Sequence, residues 1–142
     1  MELRYYPKKG LLLMCDFSGF KAPEMNKKRE VIVLTARGSL ENGLATVVPL
    51  STTPPGKVEN FHWIIPTMCL PNTARYKNSD SWLKGDMIYT VSFSRLSLIN
   101  IGRNSEGKRS YHTSKLGKEN MKKIHECLLH GLNLGQIGRA HV

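Results

Sequence analysis

Arg29-Glu30-Val31-Ile32-Val33-Leu34-Thr35-Ala36 runs from a charged pair straight into an apolar, β-branched stretch, and its reading decides the fold. Val31 to Ala36 has the length and composition of a strand and no helical spacing, so a buried strand is expected there with Arg29 and Glu30 at its mouth. Outward from it, Leu44 to Leu50 is a second such run, and Gly10 to Phe17 is a third, entered through the turn-forming Pro7-Lys8-Lys9-Gly10. Phe61 to Ile65 and Met87 to Phe93 supply two more, the latter placing Met87, Tyr89, Val91 and Phe93 on one face. Five strands joined by irregular loops predict a β-rich α+β fold, a small antiparallel barrel. Near the end, Leu116, Met121, Ile124, Leu128 and Leu132 recur at helical spacing with Lys118, Lys122 and Lys123 opposite, which predicts a C-terminal helix packed on the sheet.

A chain of 142 residues has room for one domain of ordinary size, expected over residues 1–135. Residues 136–142 break the helical pattern and present no apolar face, and a non-native or disordered tail is expected there. Lys and Arg number 21 against 11 Asp and Glu, a formal charge of +10. Such a surface attracts polyanions, nucleic acid first among them, although the same charge also serves solubility alone. No apolar run approaches the ~20 residues that cross a bilayer, and Leu11 to Cys15 is too short for a secretory core segment, so a cytoplasmic protein without membrane contact is expected. Cys15, Cys69 and Cys127 are odd in number and far apart, which reads as reduced thiols. Neither they nor the five histidines have ligand spacing, so no metal and no cofactor is expected.

Ser18 to Glu30 is long for a hairpin connection, polar and basic, and is expected to be a working loop. Cleaving RNA without a metal requires a base for the 2′-hydroxyl, cations for the phosphorane charge, an acid for the leaving 5′-oxygen, and donors that position the phosphate. Glu24 and Asp86 are candidate bases, Arg29 and Lys84 candidate cations, and Ser51, Thr52 and Thr53 offer hydroxyls at a strand end. Taken singly, each has a plainer reading. Glu24 beside lysines fits a solvated ion pair, Ser51 to Thr53 before Pro54-Pro55 fits a turn, and Lys84-Gly85-Asp86 fits a tight turn that introduces a strand.

Taken together, three ordered segments resemble the signature of the PemK/MazF family of toxin endoribonucleases. Its first motif is a strand, an acidic loop and an Arg-Pro opening a Val-rich strand. It is similar to Gly10 to Asp16, Glu24, Arg29 and Val31 to Leu34, with Glu30 in place of the Pro. The second motif, a Val-Pro-x-Ser/Thr-Thr strand end, matches Val48 to Thr53 and puts the functional hydroxyl on Ser51 or Thr52. The third is a basic residue and an aspartate separated by one position, here Lys84 and Asp86, with Lys in place of the usual Arg.

The resemblance covers the chain from about Gly10 through the final helix. It implies an SH3-like antiparallel barrel with a C-terminal helix, working as a homodimer whose groove holds single-stranded RNA. The implied reaction is metal-independent transesterification to a 2′,3′-cyclic phosphate and a 5′-hydroxyl. Arg29 and Lys84 would stabilise the phosphorane, one of them protonating the leaving oxygen; Glu24 or Asp86 would be the base, and Ser51 and Thr52 the phosphate donors. Lys21, Lys27, Lys28, Thr53 and His62 would contact the rest of the RNA. The implied inhibitor is an acidic antitoxin that threads a disordered segment across the basic groove. Two other classes share such a barrel: gyrase poisons that cleave nothing, and plain RNA-binding modules. A poison has no need of acids and hydroxyls around a phosphate, and a passive binder relies on exposed aromatics, which make up only 8% of this chain. The nuclease reading therefore ranks first. Neighbours on a strand face opposite ways, so Glu30 is expected to pair only loosely with Arg29. A Pro at position 30 is expected to keep or raise cleavage if the strand starts at Val31.

Overall fold

The structure, a computed structural model, describes Leu3 and residues 5–134; the tail expected at 136–142 lies outside the described residues. In chain order the elements are β1 (Leu12–Asp16), β2 (Lys28–Arg37), β3 (Leu44–Ser51), β4 (His62–Ile64), α1 (Ala74–Lys77), β5 (Trp82–Lys84), β6 (Tyr89–Ser92), β7 (Leu96–Ser97), β8 (Asn100–Arg103), β9 (Arg109–Tyr111) and α2 (Lys118–Gly131). Seven strands form one antiparallel sheet in the order β4-β5-β3-β2-β1-β7, with β6 also paired to β3, while β8 and β9 make a separate hairpin. The sheet is open, with β4 and β7 at its edges, and with α2 it makes the small barrel-like α+β architecture that the strand pattern predicts.

Val31, Ile32 and Val33 are all buried because β2 has apolar cover on both faces. On one face Leu12, Ile32, Val48, Leu50 and Leu83 meet Met121, Ile124 and Cys127 of α2. On the other, Leu13, Cys15, Val31, Val33 and Val47 meet Phe17, Val91 and Phe93. A strand covered on both faces reads as a continuous apolar run, which is how it stands in the sequence. The shared strand is β3. Along one side it pairs with β2; along the other it pairs with β6 from Leu44 to Val47 and with β5 at Leu50 and Ser51. Pro49, which has no N–H to give, sits where β3 passes from one partner to the other.

The helix departs from expectation at both ends, with Leu116 before its start and Leu132 beyond its end. Its buried stripe is Met121, Ile124 and Cys127, while Leu132 is exposed because α2 ends at Gly131. Three short elements and a hairpin also went unread: α1, β5, β7 and the β8–β9 pair. The C-terminal turn of α2 lies directly on the β5–β6 turn. A Cβ on Gly85 would stand 2.6 Å from the Phe61 carbonyl oxygen and 2.9 Å from that of Cys127, and a Cβ on Gly131 would collide with the Gly85 carbonyl. Two glycines let backbone touch backbone there, and the turn carrying Asp86 is fixed against the helix.

Candidate active site

The register of β2 on β3 pairs Val31 with Pro49. Continued by two residues, it sets Arg29 opposite Ser51, with their side chains on one face of the sheet. Both residues, with Thr52, line a cleft where β2 begins and β3 ends, and Glu30, Leu50, Arg75 and Ser81 complete its wall. Arg29 and the two hydroxyls, singled out in the sequence, thus come together in space. Arg29 is half-buried, its Nη1 donates to the Lys28 carbonyl at 3.1 Å, and among the described residues it has no carboxylate partner. The Ser51 hydroxyl oxygen accepts from the Thr53 amide at 3.1 Å, which orients Ser51 and leaves its proton free to donate.

Glu30 does not pair with Arg29. It faces the other side of β2, is almost wholly buried against the α2-side core, and binds Arg75, whose Nη2 lies 3.2 Å from Oε2 and 3.4 Å from Oε1. A carboxylate taken out of water needs a cation, and Arg75 of α1 supplies it. The neighbouring Tyr76 phenol is pushed up, first by burial and then by the negative charge of Glu30. The strand begins at Lys28 rather than Val31, and Glu30 pairs with Met14 of β1. Residue 30 is therefore inside the strand, and the condition attached to a harmless Pro there is not met.

The remaining sequence candidates lie outside the lining of the cleft. Glu24 is exposed on the β1–β2 loop, its Oε1 accepting from the Lys21 amide at 3.2 Å. That loop is pinned elsewhere. The Met25 amide donates to the Tyr89 hydroxyl at 2.8 Å, Phe17, Phe20 and Tyr89 pack together, and Arg95 lies over the Phe20 ring while bonding the Asp16 and Ser18 carbonyls. Lys84 follows Trp82, the strand partner of Ser51, by two residues on the same face of β5, and stands opposite His62 of β4. Asp86 is exposed in the turn held by Gly85 and Gly131. His62 accepts the Glu59 amide at Nδ1, 2.9 Å away. Burial first, then the Lys84 charge, lower its pKa, with Asp86 and Glu59 opposing in part. Lys21, Lys27, Lys28 and Thr53 are exposed, Lys28 at the start of β2, Lys27 next to it and Lys21 in the β1–β2 loop.

Arg75, Glu30 and Ser81 were not among the sequence candidates. Glu30 carried a signal: in the alternation of β2 it falls on the side of the buried Ile32, where a carboxylate implies a cationic partner. Arg75 carried none, since α1 is a single turn with no periodicity to read.

Comparison with known proteins bears on the family and the fold. The profile of the PemK-like, MazF-like toxins of type II toxin-antitoxin systems matches residues 8–132. An uncharacterized protein of Haemophilus influenzae is 29% identical over 145 residues, 94% of this chain and 95% of its own. Among solved structures, a mycobacterial endoribonuclease in complex with its cognate antitoxin superposes with a TM-score of 0.56 at 16% identity, covering 91% of this chain and 97% of its own. The Mycobacterium tuberculosis toxin MazF-mt6 gives 0.53 at 18% identity, covering 87% and 97%. At such identities the two structures speak for the fold, and the profile for the lineage. With its open antiparallel sheet, its C-terminal helix and a profile match across nearly its whole length, the chain belongs to the PemK-like, MazF-like family of type II toxins.

Proposed function

We propose that this protein is the toxin of a toxin-antitoxin pair and an endoribonuclease that cuts single-stranded RNA without a metal, leaving a 2′,3′-cyclic phosphate and a 5′-hydroxyl. One observation carries the reading: Arg29, with no acidic partner among the described residues, shares a cleft with Ser51 and Thr52. A guanidinium and hydroxyls are what a phosphorane needs, because its charge grows on the non-bridging oxygens and fixed donors stabilise it without reorganising. Arginine stays protonated at any working pH, so Arg29 acts through charge and N–H groups rather than as a base.

Lys84, on the Ser51 side of β5, is the proposed acid for the leaving oxygen. Glu24, on the loop that leads into Arg29, or Asp86 is the proposed base. The net charge of +10 draws RNA to the cleft, with Lys21, Lys27, Lys28, Thr53 and His62 as contacts along the strand. An acidic antitoxin is the proposed inhibitor, consistent with the related mycobacterial endoribonuclease whose structure includes its antitoxin. A homodimer is the proposed working form. No described helix is long and apolar enough to cross a membrane.

The test is cleavage of single-stranded RNA by purified protein in EDTA, with the ends identified by mass spectrometry. Products bearing cyclic phosphate are expected. Activity lost on chelation, or tight RNA binding without any cleavage by the protein, would overturn the reading.

A further inference from the structure

We infer that Arg75 is a second phosphate-binding cation of the cleft, and that Glu30 is the residue that positions it. The inference rests on the nuclease reading for its place in the reaction, but the contact itself can be tested without cleavage.

Arg75 lines the cleft together with Arg29, Ser51 and Thr52. Its side chain is 63% exposed, whereas that of Glu30 is only 10% exposed. The pair is therefore asymmetric, with the anion at the base of the cleft wall and the cation at its mouth. Both close approaches to Glu30 are made by Nη2. A guanidinium has five N–H donors, so Nη1 and Nε keep theirs for an incoming anion. The Arg75 guanidinium also sits 5.5 Å from the centre of the Tyr76 ring. A long side chain held by a carboxylate and an aromatic face has already lost much of the rotamer freedom that binding would otherwise take from it. Such a group meets a phosphate in a fixed orientation, as transition-state stabilisation requires.

Charge points the same way. Arg29 and Arg75 against Glu30 leave the cleft with one net positive charge, so the buried carboxylate orients one arginine without cancelling both. Glu30 stands where a Pro would end the loop and could hold nothing. With Lys84 outside the lining, Arg75 is the second cation that lines the cleft with Arg29.

Two measurements test this. The first is binding of a random-sequence, single-stranded 2′-O-methyl oligoribonucleotide, which lacks the attacking hydroxyl, at a series of KCl concentrations. Arg75→Ala should flatten the slope of log Kd against log salt by about 0.7, the loss of one phosphate contact on a single strand. Arg75→Lys should keep the slope. The second is cleavage of single-stranded RNA. Arg75→Ala and Arg75→Lys should each lower kcat by roughly tenfold or more, because lysine restores the charge without the fork. Glu30→Gln should lower kcat while leaving the salt slope at least as steep as that of the wild type, since the cation remains and only its anchor weakens. An unchanged slope for Arg75→Ala would make the Glu30–Arg75 pair a strut between β2 and α1 and overturn the inference, whether or not the wild type cleaves. A wild type that binds but does not cut, with the slope still flattened in Arg75→Ala, would overturn the nuclease reading and uphold the contact. Arg75→Lys guards against misfolding of the alanine variant: full kcat in a folded Arg75→Lys protein would refute a role for the fork.

Discussion

Glu30 turns away from Arg29, its neighbour in sequence, and binds Arg75, 45 residues further on, at 3.2 Å. This choice of partner leaves Arg29 unneutralised at the mouth of the cleft. It also leaves a carboxylate buried on the Ile32 side of β2, where charge is costly to hold. Glu30→Leu should therefore keep or raise the thermal midpoint while slowing RNA cleavage, because Arg75 is exposed enough to return to water once unpaired. A drop in midpoint of several degrees would show that the pair is a net stabiliser of the fold. Glu30→Pro, which removes the same anchor from within β2, should lower cleavage as well.

The convergence of Arg29 with Ser51 and Thr52 gives a second expectation. Arg29→Ala, and the double change Ser51→Ala with Thr52→Ala, should each slow cleavage on the order of a hundredfold, the scale of removing a donor to developing charge. Circular dichroism should be unchanged, since all three side chains line the cleft rather than fill the core. Folded variants within a few-fold of wild type would remove these residues from the reaction.

The thiols should react in an order set by burial. Cys15 is fully buried and its pKa is pushed up to about 12, so at about pH 8 only about one molecule in ten thousand carries the thiolate. Burial also raises Cys127, and Cys69, which is the half-exposed one. In native protein treated with iodoacetamide, peptide mass spectrometry should find Cys69 labelled first and Cys15 last. Early labelling of Cys15 would mean that β1 opens readily.

Stability should fall in mild acid. Burial lowers the pKa of His112 from the ordinary 6.5, a Ser114 hydrogen bond opposing it only in part, and burial likewise lowers His62 and His125. A base with a depressed folded pKa binds its proton more readily once unfolded. The fold is thus undisturbed above 6.5 and loses stability as the pH drops from there through the folded values. Thermal midpoints measured from about pH 7 to about pH 5 should decline, and His112→Gln should make the decline shallower. A flat profile in the wild type would contradict the burial of His112.

What could be read in the sequence follows the reach of each signal. The apolar runs of β2 and β3, the strand ends bearing Arg29 and Ser51, and the Met121–Ile124 stripe of α2 are local patterns many residues long, and each stands in the structure. β5 is three residues long, α1 is one turn, and β8 and β9 pair across a short connection; none is long enough for periodicity to show. The cleft was legible by half for the same reason. Arg29 and the Ser51–Thr52 pair sit at the ends of long strands whose register sequence can suggest. Arg75 reaches the same place through the 66–81 connection, whose path is set by tertiary contacts such as the burial of Leu70 and Tyr76. Glu24 and Asp86 were chosen by motif position, and the structure leaves both outside the lining of the cleft.

All the residues that line the cleft precede residue 82, yet one face of the strands that carry them is closed by α2, which begins at Lys118. During synthesis the residues of the proposed site are thus all present long before they can be held in shape. Leu12, Ile32, Val48 and Leu50 stay without their cover until the last part of the chain has left the ribosome. On the proposed nuclease reading the nascent chain cannot yet cut RNA during that interval, and a chain truncated before Lys118 should lack the cleavage proposed for the full chain.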